Sequence, residues 1–227
     1  MKELLRKEIT LQWRQGFWLV YFIVAAIYIL VLLNLPREQR MMVSLVMILT
    51  DTSVLGVLFI GALVLLEKQQ SVIPSLFVTP LSPGAYIWSK SLSLSLIAVC
   101  MSIGIYLPVW QLSLFSPFLL LGITLTALSY TMLGLGIAAS VERINAYFGT
   151  QMLYSVVMAL PIVPYLLLNR HPLFLALPYI PSLDFMLAAT KAIPLWRILL
   201  DVLLMCFWAF AAYRFALHRV RKYMIYR

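Results

Sequence analysis

Six long stretches of the chain carry few charges and few polar groups: Phe17 to Leu35, Met41 to Leu66, Ser91 to Trp110, Phe118 to Ser140, Ala146 to Leu168 and Trp196 to Ala216. Each is close to or above the roughly 20 apolar residues that an α-helix needs to cross hydrocarbon. The pattern predicts an all-α integral membrane protein with six transmembrane helices, joined by short polar breaks that leave no room for a soluble domain. The composition agrees, because 63% of the 227 residues are hydrophobic and 11% charged, against roughly 45 to 50% apolar in soluble domains. Mean hydropathy is +0.98.

Ahead of the first run, Leu5, Ile9 and Trp13 recur at helical spacing among Lys2, Arg6, Lys7 and Arg14. Residues 1 to 15 are therefore expected to form an interfacial helix, with its basic groups toward anionic lipid headgroups. The first apolar run is too long for a signal-peptide core and has no small-residue cleavage pattern, so it should remain as an uncleaved anchor.

The net charge of +9 does not point to nucleic acid, since the basic residues lie beside the apolar runs rather than on one polar domain. With six spans both termini share a side. Placing them in the cytosol puts twelve Lys and Arg inside and leaves Arg37, Arg40, Arg170, Lys191 and Arg197 outside, the asymmetry expected of a multi-pass protein in a bacterial cytoplasmic membrane.

The segment Asn169 to Leu195 is long and apolar but broken by Pro172, Pro178, Pro181 and Pro194. Prolines at such intervals interrupt the helix that a lipid-exposed backbone requires, and a seventh span would move the basic tail outside. Residues 169–195 are read instead as a re-entrant outer segment before the last helix. The whole chain, 1–227, is thus expected to be one membrane domain, with the interfacial helix at 1–15 and a cytosolic loop at 67–90. Within the fourth run, Gly134 and Ala138, and Gly136 and Ser140, are spaced to let neighbouring helices approach closely.

The loop 67–90, EKQQSVIPSLFVTPLSPGAYIWSK, is the most informative stretch. Glu67 and Lys68 end the second helix. Ile73, Leu76 and Phe77 then stand at i, i+3 and i+4, with Pro74 tolerable only in a first helical turn. Thr79 and Pro80 force an extended break. Ser82 followed by Pro83 reads as an N-cap with proline at the first helical position, starting the third helix before the membrane with Tyr86 and Trp88 at headgroup level. From these residues alone, the apolar face of the short helix fits either the lipid interface, packing on the N-terminal helix, or a partner protein.

Taken together, Glu67, Lys68, Leu76, Val78, Thr79, Pro80, Leu81, Tyr86 and Lys90 resemble the cytosolic loop of type-2 ATP-binding-cassette permeases, including multidrug and fluoroquinolone export permeases. The likeness extends to span count, N-terminal helix and broken outer segment. It implies a coupling helix that enters a groove of a separate cytosolic ATPase, with Glu67, Lys68, Ile73, Pro74, Leu76, Phe77, Thr79 and Pro80 at the contact. It also implies a second permease copy or a related permease. Ser71, Val72, Ile73 and Pro74 stand where that family usually has a Gly-Thr-Leu-Glu-like tetrapeptide, so an acidic residue expected to meet the ATPase is missing. The chain has no G-x-x-x-x-G-K-[ST] segment, so no cofactor is assigned to it, and ATP and Mg belong to the partner.

An anion at a helix C-terminus is disfavoured by the backbone dipole, so Glu67 should be held by a cation, such as Arg143 or a base of the N-terminal helix. Asp51, Thr52 and Ser53 lie inside the second run, where an ionisable group is costly to solvate. They are candidates for a substrate path, or else they cap a helix restarting near the outer surface. For Asp201 an i, i+4 pair with Arg197 is expected. Asp184 and His171 have no partners at metal-ligand spacing, and no catalytic constellation appears. Cys100 and Cys206 lie within spans and read as small apolar side chains.

These readings favour the membrane subunit of an exporter for an apolar or amphipathic cargo, drug-like or lipid. The alternatives are a membrane anchor that recruits a cytosolic protein, and a lipid-modifying membrane enzyme, which would need grouped nucleophiles or carboxylates.

Overall fold

In the computed structural model, residues 2–78, 81–110, 117–160, 162–167, 174, 177–188 and 194–225 are described, and every regular element among them is helical. The order is α1 (Lys2–Arg14), α2 (Phe17–Asn34), α3 (Arg37–Gln69), α4 (Val72–Val78), α5 (Pro83–Trp110), α6 (Pro117–Ser140), α7 (Ile144–Ala159), α8 (Ile162–Leu167), α9 (Tyr179–Leu187) and α10 (Leu195–Val220). A π-helical stretch, Arg221–Ile225, extends α10.

Among the described helices, α2, α3, α5, α6 and α10 are long and apolar enough to cross a membrane. The expected crossing at 146–168 is instead divided into α7, of 16 residues, and α8, of 6. The sequence places Pro161 and Pro164 there, and each removes a backbone donor and crowds the preceding turn. The 33 residues of α3 span about 50 Å at 1.5 Å per residue, well beyond a hydrocarbon core of about 30 Å.

The helix α6 is the centre of the bundle, packed against α3, α5, α9 and α10. Its two small-residue positions serve different neighbours. A side chain at Gly134 would meet Val57 Cα of α3 at 3.0 Å, and one at Gly136 would meet the Phe215 ring of α10 at 2.6 Å. Close approach replaces the hydrophobic drive that lipid cannot supply.

The outer face is apolar. Leu19, Phe22, Ile23 and Leu30 of α2 and Leu199, Leu203, Phe207 and Phe210 of α10 are exposed, an arrangement suited to hydrocarbon and not to water. All of α9, by contrast, is buried, against α3, α6 and α10.

Between α1 and α2 the chain turns at Gly16, whose φ of +77° lies in the left-handed region open to glycine. The Trp13 and Trp18 rings meet across that turn at 5.6 Å.

Candidate functional site at the α3–α5 loop

At its loop end, α3 presents two consecutive charged side chains that point to different helices. Lys68 Nζ donates to the carbonyls of Ala138, Ala139 and Val141 at 2.9, 2.7 and 2.8 Å. An ammonium has three donors and a helix C-terminus has unsatisfied carbonyls, so Lys68 caps α6.

Glu67 turns to α5. Tyr86 Oη donates to Glu67 Oε2 at 2.8 Å, and Lys90 Nζ lies 2.5 Å from Glu67 Oε1. Tyr86 and Lys90 are one helical turn apart and so share a face. The N-cap of α5 sets that face, with Ser82 Oγ accepting from the Ala85 backbone N–H at 3.2 Å and Pro83 opening the helix. Lys90 also reaches back to α1, donating to Glu8 Oε1 and Oε2 at 3.0 and 3.1 Å.

One turn along, Gln12 Nε2 donates to Ser93 Oγ at 2.6 Å, and Ser93 Oγ donates to the Lys90 carbonyl. Two polar rungs therefore lock α1 onto α5. The Lys90 side chain is fully buried, and those of Glu67 and Glu8 are only 10% and 12% exposed. Burial holds the Glu8 carboxyl above its ordinary value of 4.5. The charge of Lys90 opposes that rise, the charge of Glu67 adds to it, and the Lys90 hydrogen bond opposes it.

A cation does hold Glu67, but it is Lys90 of α5 rather than Arg143 or a base of α1, and α1 contributes the acid Glu8. Of the apolar stripe on α1, Leu5 and Ile9 are half-buried and Trp13 is 67% exposed, while Gln12 is fully buried. The signal was present in Glu8 and Gln12, four residues apart on a helix where Glu3, Arg6, Lys7, Thr10 and Arg14 face out.

The link from α3 to α4 turns at Ser71, whose φ of +55° is left-handed. That is a position where glycine is unstrained, and Ser71 adopts it with a side chain. In α4, Ile73 is buried within the chain, Leu76 half-buried, and Pro74 and Val78 exposed. The Phe77 side chain, Thr79 and Pro80 lie outside the described residues.

Deeper in the bundle, Asp51, Thr52 and Ser53 are all buried. The helix α3 runs through them unbroken, so they cap no restart. Thr52 Oγ1 donates to the Ile48 carbonyl at 2.6 Å and faces Ser102 Oγ of α5 at 3.5 Å. The Ser53 and Tyr179 hydroxyls share a hydrogen bond, which ties α3 to α9. Asp51 Oδ1 has no hydrogen-bond partner among the described residues and lies electrostatically close to Tyr21 and Tyr28 of α2.

At the opposite end of the bundle from the loop, Arg197 does not pair with Asp201 as expected. Its Nε and Nη2 donate to Asp184 Oδ2 of α9 at 3.1 and 2.6 Å, and Nη2 donates to Tyr165 Oη of α8 at 2.8 Å. Tyr165 Oη in turn donates to Asp184 Oδ2. Both carboxylate oxygens of Asp201 are buried without a hydrogen-bond partner among the described residues. The i, i+4 spacing was real, but α9 offered a buried acid closer to the guanidinium, which sequence spacing does not reveal.

Across its whole length, residues 1–227, the chain matches the Fluoroquinolones export permease protein family. Two similar proteins carry the name fluoroquinolones export permease protein, in Mycobacterium tuberculosis strains CDC 1551 / Oshkosh and ATCC 25618 / H37Rv. Each is 27% identical over 175 residues, covering 77% of this chain and 74% of the relative. With several helices long and apolar enough to span a bilayer, this multi-pass membrane protein belongs to the fluoroquinolones export permease family.

Proposed function

We propose that the chain is the membrane-spanning subunit of a type-2 ATP-binding-cassette exporter, with α4 as the coupling helix that meets a separate cytosolic ATPase. The observation that carries this reading is the buried Glu8–Lys90–Glu67–Tyr86 cluster, which joins α1 to the α3 and α5 ends that flank α4 in the chain. Together with the Lys68 cap on α6, it joins the two ends of the loop to α1 and α6. A push on α4 would therefore reach four helices at once. The chain's Pro74 and Val78 face outward from α4 for the partner, while Glu67, Lys68 and Ile73 transmit rather than touch. Leu76, Phe77, Thr79 and Pro80 complete the contact.

In this reading α7 and α8 together make the sixth crossing, and α9 is a re-entrant helix in the outer leaflet, consistent with its contacts to mid-helix Ser53 and Tyr130 through Tyr179. Both termini lie in the cytosol of a bacterial membrane, α1 rests on its lipid headgroups, and residues 1–227 act as one domain. Two permeases, identical or related, enclose the path. ATP and Mg bind in the ATPase, and this chain supplies no catalytic group. The cargo is apolar or amphipathic, as the drug named for the relatives suggests, and it passes Asp51, Thr52 and Ser53.

The test is co-expression with candidate ATPases of the same genome, each identified by a G-x-x-x-x-G-K-[ST] segment. The reading expects the chain to copurify with one of them, and Leu76→Asp or Val78→Asp to separate the two. Val78 is 88% exposed, so its substitution does not disturb the fold. Undiminished association of both variants would refute the coupling role.

A further inference from the structure

A cleft of about 850 Å³ opens between α4 and the π-helix, lined by Ile73, Pro74 and Val78 on one wall and Tyr223, Met224 and Ile225 on the other. The C-terminal wall is preorganised. The Tyr223 ring lies 5.5 Å from the Arg219 guanidinium and 5.3 Å from Lys222 Nζ, and Arg219 Nη1 reaches Tyr223 Oη at 3.5 Å. Cation–π contacts of this kind fix both the ring and the cations. A π-helical turn is rare, and such turns are frequent at functional sites.

Charge is distributed unevenly around the cleft. The α4 wall, VIPSLFV, carries no charged side chain. Lys68, at the cleft, spends its ammonium on the carbonyls of Ala138, Ala139 and Val141 at the end of α6. Arg221 and Lys222, which immediately precede the C-terminal wall in the chain, are exposed, and the acidic Glu142 also lines the cleft. An apolar centre with a charged rim is the layout of a protein interface, and a lipid phosphate would find no available ammonium at Lys68.

We infer that Tyr223, Met224 and Ile225 form the second wall of the ATPase docking site, and that the ATPase segment entering it carries an apolar tip flanked by acidic residues. This rests on the coupling reading of α4 and extends the interface to the C-terminal helix, with opposite charges meeting at Arg221 and Lys222.

The test measures binding of the purified ATPase to the full-length chain in nanodiscs, of either anionic or zwitterionic lipid. The double variant R221E/K222E, at two exposed positions, should bind about tenfold more weakly at low salt and lose most of its salt dependence, in both lipids. Ile225→Asp should weaken binding at all salt concentrations. Unchanged affinity in both C-terminal variants, while Val78→Asp abolishes it, would overturn this inference and leave the coupling reading standing. An effect confined to anionic lipid would overturn it in favour of a headgroup site. No binding by the unaltered chain would defeat both.

Discussion

Lys90 Nζ sits 2.5 Å from Glu67 Oε1 and 3.0 Å from Glu8 Oε1, so one buried ammonium joins residues 23 and 82 positions away in the chain. It fastens the end of α3, the start of α5 and the N-terminal helix at one point. Removing it leaves two carboxylates facing each other with little access to water. Lys90→Met is therefore expected to cost about 3 kcal/mol, the range for breaking a buried pair. Lys90→Met with Glu67→Gln and Glu8→Gln should recover most of that loss. Thermal unfolding of the detergent-solubilised protein measures both, and an unaltered midpoint for Lys90→Met would show that the cluster contributes nothing.

The Glu8 carboxyl titrates above its ordinary 4.5, chiefly through burial. An acid with a raised folded-state pKa binds its proton more readily folded than unfolded. Its contribution to stability therefore grows as pH falls from the raised value toward 4.5, and is lost as pH climbs through that raised value. Thermal midpoints in that window should rise with acidification, more steeply for the unaltered chain than for Glu8→Gln. Parallel pH profiles for the two proteins would contradict the assignment.

Gly134 and Gly136 face different helices. A methyl at Gly136 would stand 2.6 Å from the Phe215 ring and 3.2 Å from Ala216 Cα, so Gly136→Val should separate α6 from α10 at a cost of about 1–3 kcal/mol. Crosslinking between α6 and α10 cysteine pairs would report the separation, and an undiminished yield would show that the contact adapts.

Ser71 holds a left-handed φ of +55°, a conformation that costs a non-glycine residue roughly 1 kcal/mol. Ser71→Gly should raise stability by about that amount or less, because glycine also loosens the unfolded chain. The same thermal measurement decides, and a fall in midpoint would place the strain elsewhere.

Much of this architecture was legible in the pattern of apolar runs, because hydrocarbon demands long helices and leaves their length visible. The N-cap at Ser82 and the close-packing glycines of α6 were legible for the same local reason: each depends on one turn of helix. The division of the 146–168 run was not read, although Pro161 and Pro164 stood inside it. The partners of Glu67 and Arg197 were also missed. Each sits opposite a residue from a distant element, Lys90 in one case and Asp184 in the other, and pairing across a bundle depends on helix rotation that spacing does not fix. Lys68 illustrates the point: its ammonium caps the C-terminus of α6, a neighbour that spacing along its own helix does not name.

The central claim is that α4 couples an ATPase to export through this chain. Its most direct measurement is fluoroquinolone uptake into inverted vesicles that contain the chain and its ATPase, with and without ATP, compared with vesicles carrying Val78→Asp. The account predicts ATP-dependent uptake with the unaltered chain and its loss, together with the bound ATPase, in the variant. Equal uptake in the variant, or uptake by the chain alone without ATP, would contradict it.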